Sequence, residues 1–362
     1  MFRVYEQRLT KLINTGQQHC LKGARIGLEK ETLRVGPDGC IAQTPHPQAL
    51  GAALTHPYIT TDYSEALLEL ITPPLTSLPQ TLRFLHDVHH FVYHNVGDEM
   101  LWATSMPCVV QGEDSVPVAW YGTSNPGMMK HVYRRGLGYR YGRVMQVIAG
   151  VHFNYSLPEA FWPLFQTLEG DRYNLQDFIS ARYFGLIRNL QRFGWLVPYL
   201  FGAAPAVCKS FLAGKPSRLQ EFDESTYFLP YATSLRLSDI GYTNRLEKKA
   251  GLNISYNSLD EYLTSLKSAL KTPHPAYAAL GVIVNGEYRQ LNANLLQIEN
   301  EYYSTMRPKQ IPHRDEQPAM ALKRRGVRYV ELRSLDVSVF DPLGVNETEL
   351  RFLEAFLVFC LL

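Results

Sequence analysis

The sequence is poor in cysteine and has no long apolar run. Its five cysteines are odd in number, widely scattered and without a C-x-x-C pair. This pattern argues against a disulfide framework and a zinc module and fits a reducing compartment, so we expect a cytoplasmic protein. No segment reaches the roughly 18 apolar residues that a membrane-spanning helix needs, and the N-terminal MFRVYEQRLTKL lacks the apolar core of a signal peptide. We therefore expect no membrane partner.

The chain also lacks an excess of one charge. It has 36 Lys and Arg against 34 Asp and Glu, a net charge of +2. Such a balance gives no long-range field for nucleic acid, so no nucleic-acid partner is expected. The densest basic region could bind a polyphosphate or form a solvated loop, and it contains Arg307, Lys309, Arg314, Lys323, Arg324, Arg325 and Arg328.

Common ligand-binding motifs are absent as well. GTSNPGMMK, residues 122–130, lacks the Lys and Ser or Thr of a phosphate-binding P-loop, and GLGYRYG lacks the third glycine of a dinucleotide fingerprint. His86, His90 and His94 are spaced like zinc ligands on a helix, but they share a face with other polar residues. We interpret them as a solvated face and assign them no role.

The length of 362 residues and the 46 % hydrophobic content allow one large domain or two smaller ones. Helical patterns cover residues 4–15, 78–96 and 174–193, and SLDE at 258–261 predicts a capping box. Strand-like segments lie between them without regular β-α alternation, so the fold class is predicted to be α+β.

The segment ARIGLEKETLRVGPDG, residues 24–39, reads as a strand followed by a tight turn at GPDG. Side chains two apart in a strand share a face, so Glu29 and Glu31 are neighbours. At a separation of roughly 6–7 Å, two carboxylates repel each other by about 2.5 kcal/mol. The segment is therefore either a half-exposed edge strand or a strand that binds a cation.

Other predicted strands also carry acids on a polar face. VMQVIAGVHFNYS places His152 beside Asn154, and RYVELRSLD places Glu331 beside Arg333. NLLQIENEYY, read as a strand, aligns Gln297, Glu299, Glu301 and Tyr303, while Glu69 and Asp62 add two further acids. Carboxylates with one imidazole suit Mg²⁺ or Mn²⁺, and several acids with Mg²⁺ indicate a nucleotide-phosphate site.

Several segments, in order along nearly the whole chain, resemble the proteobacterial type of glutamate-cysteine ligase. They are IGLEKETLRVGPDG, ALTHPYITTDYSEALLELITP, GVHFNYSLP, FLPYATSLRLSDIGYTN, LQIENEYY and VELRSLDV. The resemblance implies a glutamine-synthetase-like fold, with metals on the concave face of a curled antiparallel sheet and helices on its convex side. It also implies that residues 1–362 are a single ATP-dependent ligase catalytic domain, and that a C-terminal part of the family is missing after FLVFCLL.

The resemblance implies roles for particular residues. The magnesium cluster would comprise Glu29, Glu31, Asp62, Glu69, His152 and Glu331. Arg333 would grip the glutamate substrate or the transferred phosphate, and Glu331 would also be catalytic. The amino-acid pockets would be lined by Tyr133, Arg134, Arg236, Tyr242 and Tyr303. Arg307 and Lys309 are the expected nucleotide-binding residues.

The implied reaction uses ATP as co-substrate with Mg²⁺, or Mn²⁺, and is the first step of glutathione biosynthesis. The γ-carboxylate of L-glutamate would take the γ-phosphoryl group of ATP, and the amine of L-cysteine would attack the acyl phosphate. We expect a monomer. Three alternatives remain: a ligase that joins glutamate to another amine, a metal-dependent phosphohydrolase, and a nucleotide-binding fragment without turnover.

Overall fold

The protein is described by a computed structural model that covers residues 2–242, 252–313 and 316–362. The described helices are α1 (Phe2–Asn14), α2 (Leu78–Tyr93), α3 (Asn125–Tyr141), α4 (Phe161–Glu169), α5 (Leu175–Phe193), α6 (Leu196–Phe201), α7 (Leu259–Ala269), α8 (Pro275–Leu280), α9 (Pro318–Arg325) and α10 (Glu347–Leu361). None of these helices has both the length and the apolar character to cross a membrane.

The described strands are β1 (Arg25–Val35), β2 (Ile59–Thr61), β3 (Leu67–Ile71), β4 (Met100–Leu101), β5 (Val151–Ser156), β6 (Ala206–Cys208), β7 (Gln220–Glu221), β8 (Thr226–Phe228), β9 (Ile283–Val284), β10 (Glu287–Tyr288), β11 (Met306–Lys309) and β12 (Tyr329–Leu335). Within the described ranges, the main sheet has the order β11-β12-β5-β1-β3-β2, with β4 also paired to β1. All its pairings are antiparallel, which confirms the α+β prediction.

The strand with the two glutamates lies in the centre of the sheet. β1 pairs with β3 on one side and with β5 on the other, and both of its faces are largely buried. The expectation of a half-exposed edge strand is therefore wrong. The GPDG turn is confirmed, because the Gly36 N–H donates to the Cys40 carbonyl at 2.9 Å and the Asp38 carboxylate accepts from the Cys40 N–H at 3.0 Å.

The apolar core lies on the face of the sheet that carries Leu28, Phe153 and Leu332. These three side chains are 0 % exposed and occupy paired positions on β1, β5 and β12. Burying each stabilises the fold by about 1.5–3 kcal/mol. Helix α2 packs against β1 and β3, and α10 packs against α2 and α5. The acids of β1 point to the opposite face because side chains alternate along a strand.

The predicted helices differ from the observed ones mainly at their ends. Helix α2 ends at Tyr93, short of the predicted residue 96, and the Ser258 hydroxyl caps α7 by accepting from the Glu261 N–H. Two strand predictions are wrong in part. Residues 144–147 and 299–301 form 3₁₀ turns, so each predicted strand is interrupted. Alternating polarity alone does not separate a strand from a short turn.

Candidate active site

Strand register brings the predicted acids onto one face. Glu31 on β1 is directly opposite Glu69 on β3, and Glu29 is opposite His152 on β5. One strand further, Glu331 on β12 is paired with Asn154 of β5 and with Arg307 of β11. Paired residues in an antiparallel sheet project to the same side. The sheet therefore places these polar side chains in one continuous row.

His152 lies at the centre of this row and is 3 % exposed. Its Nδ1 atom is 3.2 Å from Glu29 Oε2 and 3.5 Å from Glu331 Oε1, and its Nε2 atom is 3.6 Å from Glu31 Oε1. Asn154 holds the other oxygen of Glu29 by donating to Oε1 at 2.8 Å. One imidazole thus contacts three carboxylates that come from two different strands.

These residues fit a divalent cation. Glu29, His152 and Glu331 each offer a ligand atom, and the three atoms lie within 4.8 Å of one another. Oxygen donors with a single imidazole are the set that Mg²⁺ or Mn²⁺ accepts.

The acids nearest β3 repel one another. Burial raises the pKa of Glu69 well above its ordinary value, and the charges of Glu29, Asp62 and Glu31 raise it further. Burial also raises the pKa of Glu31, although His152 partly opposes that shift. The neutral forms of Glu31 and Glu69 are therefore favoured here, and a bound cation would favour their ionised forms instead.

Glu29 behaves differently from these two acids. Burial favours its neutral form, but the hydrogen bond from His152 and the charge of Lys309 favour the anion and bring its pKa to about 2. Glu29 is therefore ionised at neutral pH. Glu29 can therefore bind a cation without first losing a proton.

The other half of the site carries positive charge. Glu331 is held by Arg333 Nη1 at 2.8 Å and by Lys309 Nζ at 2.8 Å. Burial opposes ionisation of Glu331, but Lys309 and Arg333 outweigh it and hold the pKa of Glu331 well below its usual range. Arg307 donates to the carbonyls of Asn300 and Tyr302 at 2.9 and 2.6 Å. Burial and the charge of Arg333 lower the pKa of Arg307.

Arg236 is a buried cation with unused hydrogen-bonding capacity. It is 1 % exposed, its Nη2 donates to the Arg333 carbonyl at 2.7 Å, and its Nη1 lies 3.9 Å from Asp336 Oδ1. Within the described part of the chain, its Nε and Nη1 have no hydrogen-bond partner. A Cβ atom on Gly150 would lie 2.2 Å from Arg236 Nη2, so this position needs glycine. Two free donors on a buried guanidinium are suited to a carboxylate ligand.

Aromatic side chains and α3 complete the wall. The rings of Tyr242 and Tyr303 stack at 4.8 Å, and the Tyr242 hydroxyl donates to the Ile148 carbonyl at 3.1 Å. Burial raises the pKa of Tyr242 well above its ordinary value, as do the charges of nearby acids. On α3, Arg134 donates to the Asp62 carbonyl, and burial raises the pKa of the neighbouring Tyr133.

A cavity of about 380 Å³ lies over the row of acids. Every residue for which a role was predicted lines it, which the sequence alone could not establish. Its volume is within the range of small-molecule sites. One cavity therefore joins a cluster of carboxylates, a group of cations and an aromatic wall.

The other described members of the predicted basic region do not line this cavity. Arg325 and Arg324 form ion pairs with Glu316, and Arg328 pairs with Glu159. Arg314 lies outside the described residues, as do Thr243 and Asn244 at the end of one family-like segment. The three aligned histidines of α2 are exposed, as expected of a solvated face.

Sequence reasoning also missed a buried ion pair beside the cavity. Arg140 Nη1 lies 2.7 Å from Glu301 Oε1, and both side chains are 0 % exposed. Glu301 lines the cavity, whereas Glu299, aligned with it in the predicted strand, accepts from the Ala319 N–H. The 3₁₀ turn separates the two glutamates, so the predicted single row is wrong. The local sequence around Arg140, at the end of α3, contains no pattern that predicts its contact with Glu301.

Comparison with known proteins gives consistent results. A sequence model of the family described as glutamate-cysteine ligase matches residues 9–362. The glutamate-cysteine ligase of Alcanivorax borkumensis is 57 % identical over 363 residues, which cover 99 % of this chain and 69 % of that protein. The enzyme of the same name from Pseudomonas putida is 55 % identical and is covered over 65 % of its length.

A solved structure agrees with these sequence matches. The crystal structure of the glutamate-cysteine ligase of Francisella tularensis in complex with AMP superimposes with a TM-score of 0.88 at 42 % identity, covering 94 % of this chain and 66 % of that one. The chain thus spans about two thirds of the length of the relatives it matches. By sequence and by fold, this chain belongs to the glutamate-cysteine ligase family.

Proposed function

We propose that the chain catalyses the ATP-dependent ligation of L-glutamate to L-cysteine, through a γ-glutamyl phosphate, as the first step of glutathione biosynthesis. The observation that carries this proposal is the division of one cavity into an acidic half and a cationic half. Carboxylates cluster around His152, while Arg236, Arg307, Lys309 and Arg333 supply positive charge. The names of the relatives support the same reaction.

The acidic half would hold Mg²⁺, with Mn²⁺ as the alternative. The proposed ligands are Glu29, Glu31, Asp62, Glu69, His152 and Glu331. The repulsion that raises the pKa values of Glu31 and Glu69 supports this assignment, because a cation there relieves it. When bound, the metal neutralises charge on the phosphates of ATP and helps to align the reacting groups.

The cationic half would bind the anionic substrates. Arg333 is fixed by its ion pair with Glu331, and its planar guanidinium can hold a carboxylate or a phosphoryl group with two parallel hydrogen bonds. Arg236, with two unused donors, would bind a substrate carboxylate. Arg307 and Lys309 would contact the phosphates of ATP. Tyr133, Arg134, Tyr242 and Tyr303 would line the two amino-acid pockets.

In the first step, an oxygen of the γ-carboxylate of glutamate attacks the γ-phosphorus of ATP, and ADP leaves. Arg333 would stabilise the charge that is transferred with the phosphoryl group. In the second step, the neutral amine of cysteine attacks the acyl carbon, inorganic phosphate leaves with the bonding electrons, and the nitrogen that has formed the new bond gives up a proton to the departing phosphate. No side-chain nucleophile is needed, and no cysteine of the chain lines the cavity.

We also propose that residues 1–362 act as one catalytic domain, as a monomer and in the cytoplasm. One apolar cluster runs from α1 to α10 in the described residues, which supports a single domain. All five cysteines are free thiols, which suits a reducing compartment.

The test is phosphate release from ATP with Mg²⁺ in three mixtures: no amino acid, glutamate alone, and glutamate with cysteine. We expect sustained release only with both amino acids, together with γ-glutamylcysteine detected by mass spectrometry. Glu29→Gln should abolish this release, and the exposed Glu6→Gln should not change it.

Other outcomes identify the alternatives. Release without any amino acid indicates a phosphohydrolase, and ATP binding without release in any mixture indicates a nucleotide-binding fragment. A larger rate with 2-aminobutyrate or another amine than with cysteine indicates a ligase with a different acceptor. Each of these results contradicts the proposal.

A further inference from the structure

The face of β1 opposite the acids carries a buried lysine. Lys30 is 3 % exposed, and its Nζ atom lies 3.2 Å from Nε2 of His89 on α2. Over residues 2–242, 252–313 and 316–362, no carboxylate lies within ion-pair distance of Lys30, and His89 is its only hydrogen-bond partner. A buried lysine is almost always paired with an acid, so this one has donors available for a ligand.

Lys30 lines a second cavity, of about 300 Å³. Its walls are mainly aromatic and aliphatic, and they include Tyr93, Leu101, Trp102, Val337, Val339 and Phe340. Gly344 also lines the cavity, and a Cβ atom there would lie 3.0 Å from Lys30 Cε. The volume is at the lower end of small-molecule sites, and the combination of apolar walls with a few polar groups, here including Lys30 and Asp341, is typical of them.

Two other polar groups that line this cavity, Trp102 and Asp341, have hydrogen-bond partners. The Trp102 indole N–H donates to the Met106 carbonyl at 2.7 Å. The Asp341 carboxylate accepts from the Ser338 hydroxyl and from the Asn346 amide, both at 2.9 Å. Lys30 Nζ, whose one hydrogen-bond contact within the described residues is His89, thus keeps donors that a ligand can use.

We propose that this cavity is a second binding site, for a small monocarboxylate with an aromatic or branched apolar body. The ligand carboxylate would accept hydrogen bonds from Lys30, and its apolar body would pack against Trp102 and Phe340. A dianion is disfavoured because one lysine cannot balance it and Asp341 repels it. A protonated amine is disfavoured because it offers no hydrogen-bond acceptor to Lys30. This inference does not depend on the proposed ligase activity.

The test is a titration of the whole chain with benzoate, followed by tryptophan fluorescence and by calorimetry. Because Trp102 lines the cavity, we expect a saturable fluorescence change with a Kd on the order of 1 mM, as suits a ligand of this size. Benzamide, which has the same shape without the charge, should bind at least tenfold more weakly. Phthalate and benzylamine should also bind more weakly.

Two variants should weaken benzoate binding. Lys30→Met should weaken it at least tenfold, whereas the exposed Lys267→Met should not change it. Phe340 is 88 % exposed, so Phe340→Ser should leave folding intact while weakening binding several-fold. This second variant keeps the test decisive even if Lys30→Met does not fold.

Arg236→Gln distinguishes benzoate binding in this cavity from benzoate binding in the candidate active site. Because Arg236 lines only the latter of the two, the substitution should leave benzoate binding unchanged. The proposal is overturned if benzoate shows no saturable binding, if benzamide binds equally well, or if Arg236→Gln abolishes binding while Phe340→Ser does not. None of these measurements uses turnover, so failure here leaves the proposed function untouched, and failure of the turnover assay leaves this site untouched.

Discussion

Glu31 and Glu69 are directly opposite each other on neighbouring strands of the sheet, inside the fold rather than at its edge. Burial raises the pKa of both, and mutual repulsion adds to the shift of Glu69. Two such carboxylates repel each other when both are ionised, and either a proton or a bound cation relieves that repulsion.

Glu31→Gln and Glu69→Gln therefore test the metal assignment. Each keeps the shape of the side chain and removes one charge, so the metal-free protein should be equally stable or more stable by about 1–3 kcal/mol. The increase in melting temperature caused by Mg²⁺ should fall sharply, because a ligand stabilises only the state that binds it. Thermal melting with and without Mg²⁺ measures both effects. Glu6→Gln is the control, and an unchanged Mg²⁺ response in both variants would contradict the assignment.

The effect of Mg²⁺ should also depend on pH. A carboxylate with a raised pKa in the folded state takes up a proton as the pH falls, and that proton competes with the metal. The Mg²⁺-induced increase in melting temperature should thus be largest at pH 8 and decline toward pH 6. Glu69→Gln should make the Mg²⁺ effect less dependent on pH, because it removes an acid whose pKa is raised well above its ordinary value. A gain that is equal at pH 6 and pH 8 in the unmodified protein would refute this prediction.

Arg333→Lys should reduce kcat/KM by about tenfold or more, equivalent to about 1.4 kcal/mol. Lysine keeps the charge but cannot form the planar, two-bonded contact with a carboxylate or phosphoryl group. Steady-state kinetics against glutamate and ATP measure the loss. The exposed Arg172→Lys is the matched control and should behave as the unmodified protein. Equal kinetics for both variants would show that Arg333 is not a substrate clamp.

Gly150→Ala should disturb the site through Arg236. The added Cβ would lie 2.2 Å from Arg236 Nη2, so the guanidinium must move. We expect a loss of stability of about 1–3 kcal/mol from overpacking and an increase in KM for a carboxylate substrate. Gly185→Ala on α5 is the control, since its nearest atom would be 3.9 Å away. Kinetics and urea unfolding of the two variants distinguish a local displacement from a general effect of alanine.

The ion pair of Arg140 and Glu301 should be strongly coupled. Arg140→Met leaves a buried carboxylate without its cation and should destabilise the fold by about 3–5 kcal/mol. Adding Glu301→Gln should recover part of that loss, because the remaining partner is then neutral. A double-mutant cycle by urea unfolding measures the coupling. Additive effects of the two substitutions would mean that the pair does not act as a unit.

Much of the candidate site followed from local patterns. The alternation of side chains assigned Glu29 and Glu31 to one face of a strand, and His152 with Asn154 to the polar face of another. The GPDG turn and the SLDE cap were also predicted, because turn and cap chemistry depends on residues close in sequence. The 3₁₀ turn at Glu299–Glu301 was missed, since its sequence alternates as a strand does.

The sequence by itself determined the family, the acid-bearing faces and the absence of a P-loop or a dinucleotide fingerprint, because each of these depends on residues that are close together in the chain. Tertiary structure decided that β1 is central, and it brought Glu29 to His152, 123 positions away. It also paired Arg140 with Glu301, and it buried Lys30 with no acid at ion-pair distance among the residues that the structure describes. Strand order and register depend on how the whole apolar face packs, so contacts between distant residues are not encoded in any local pattern.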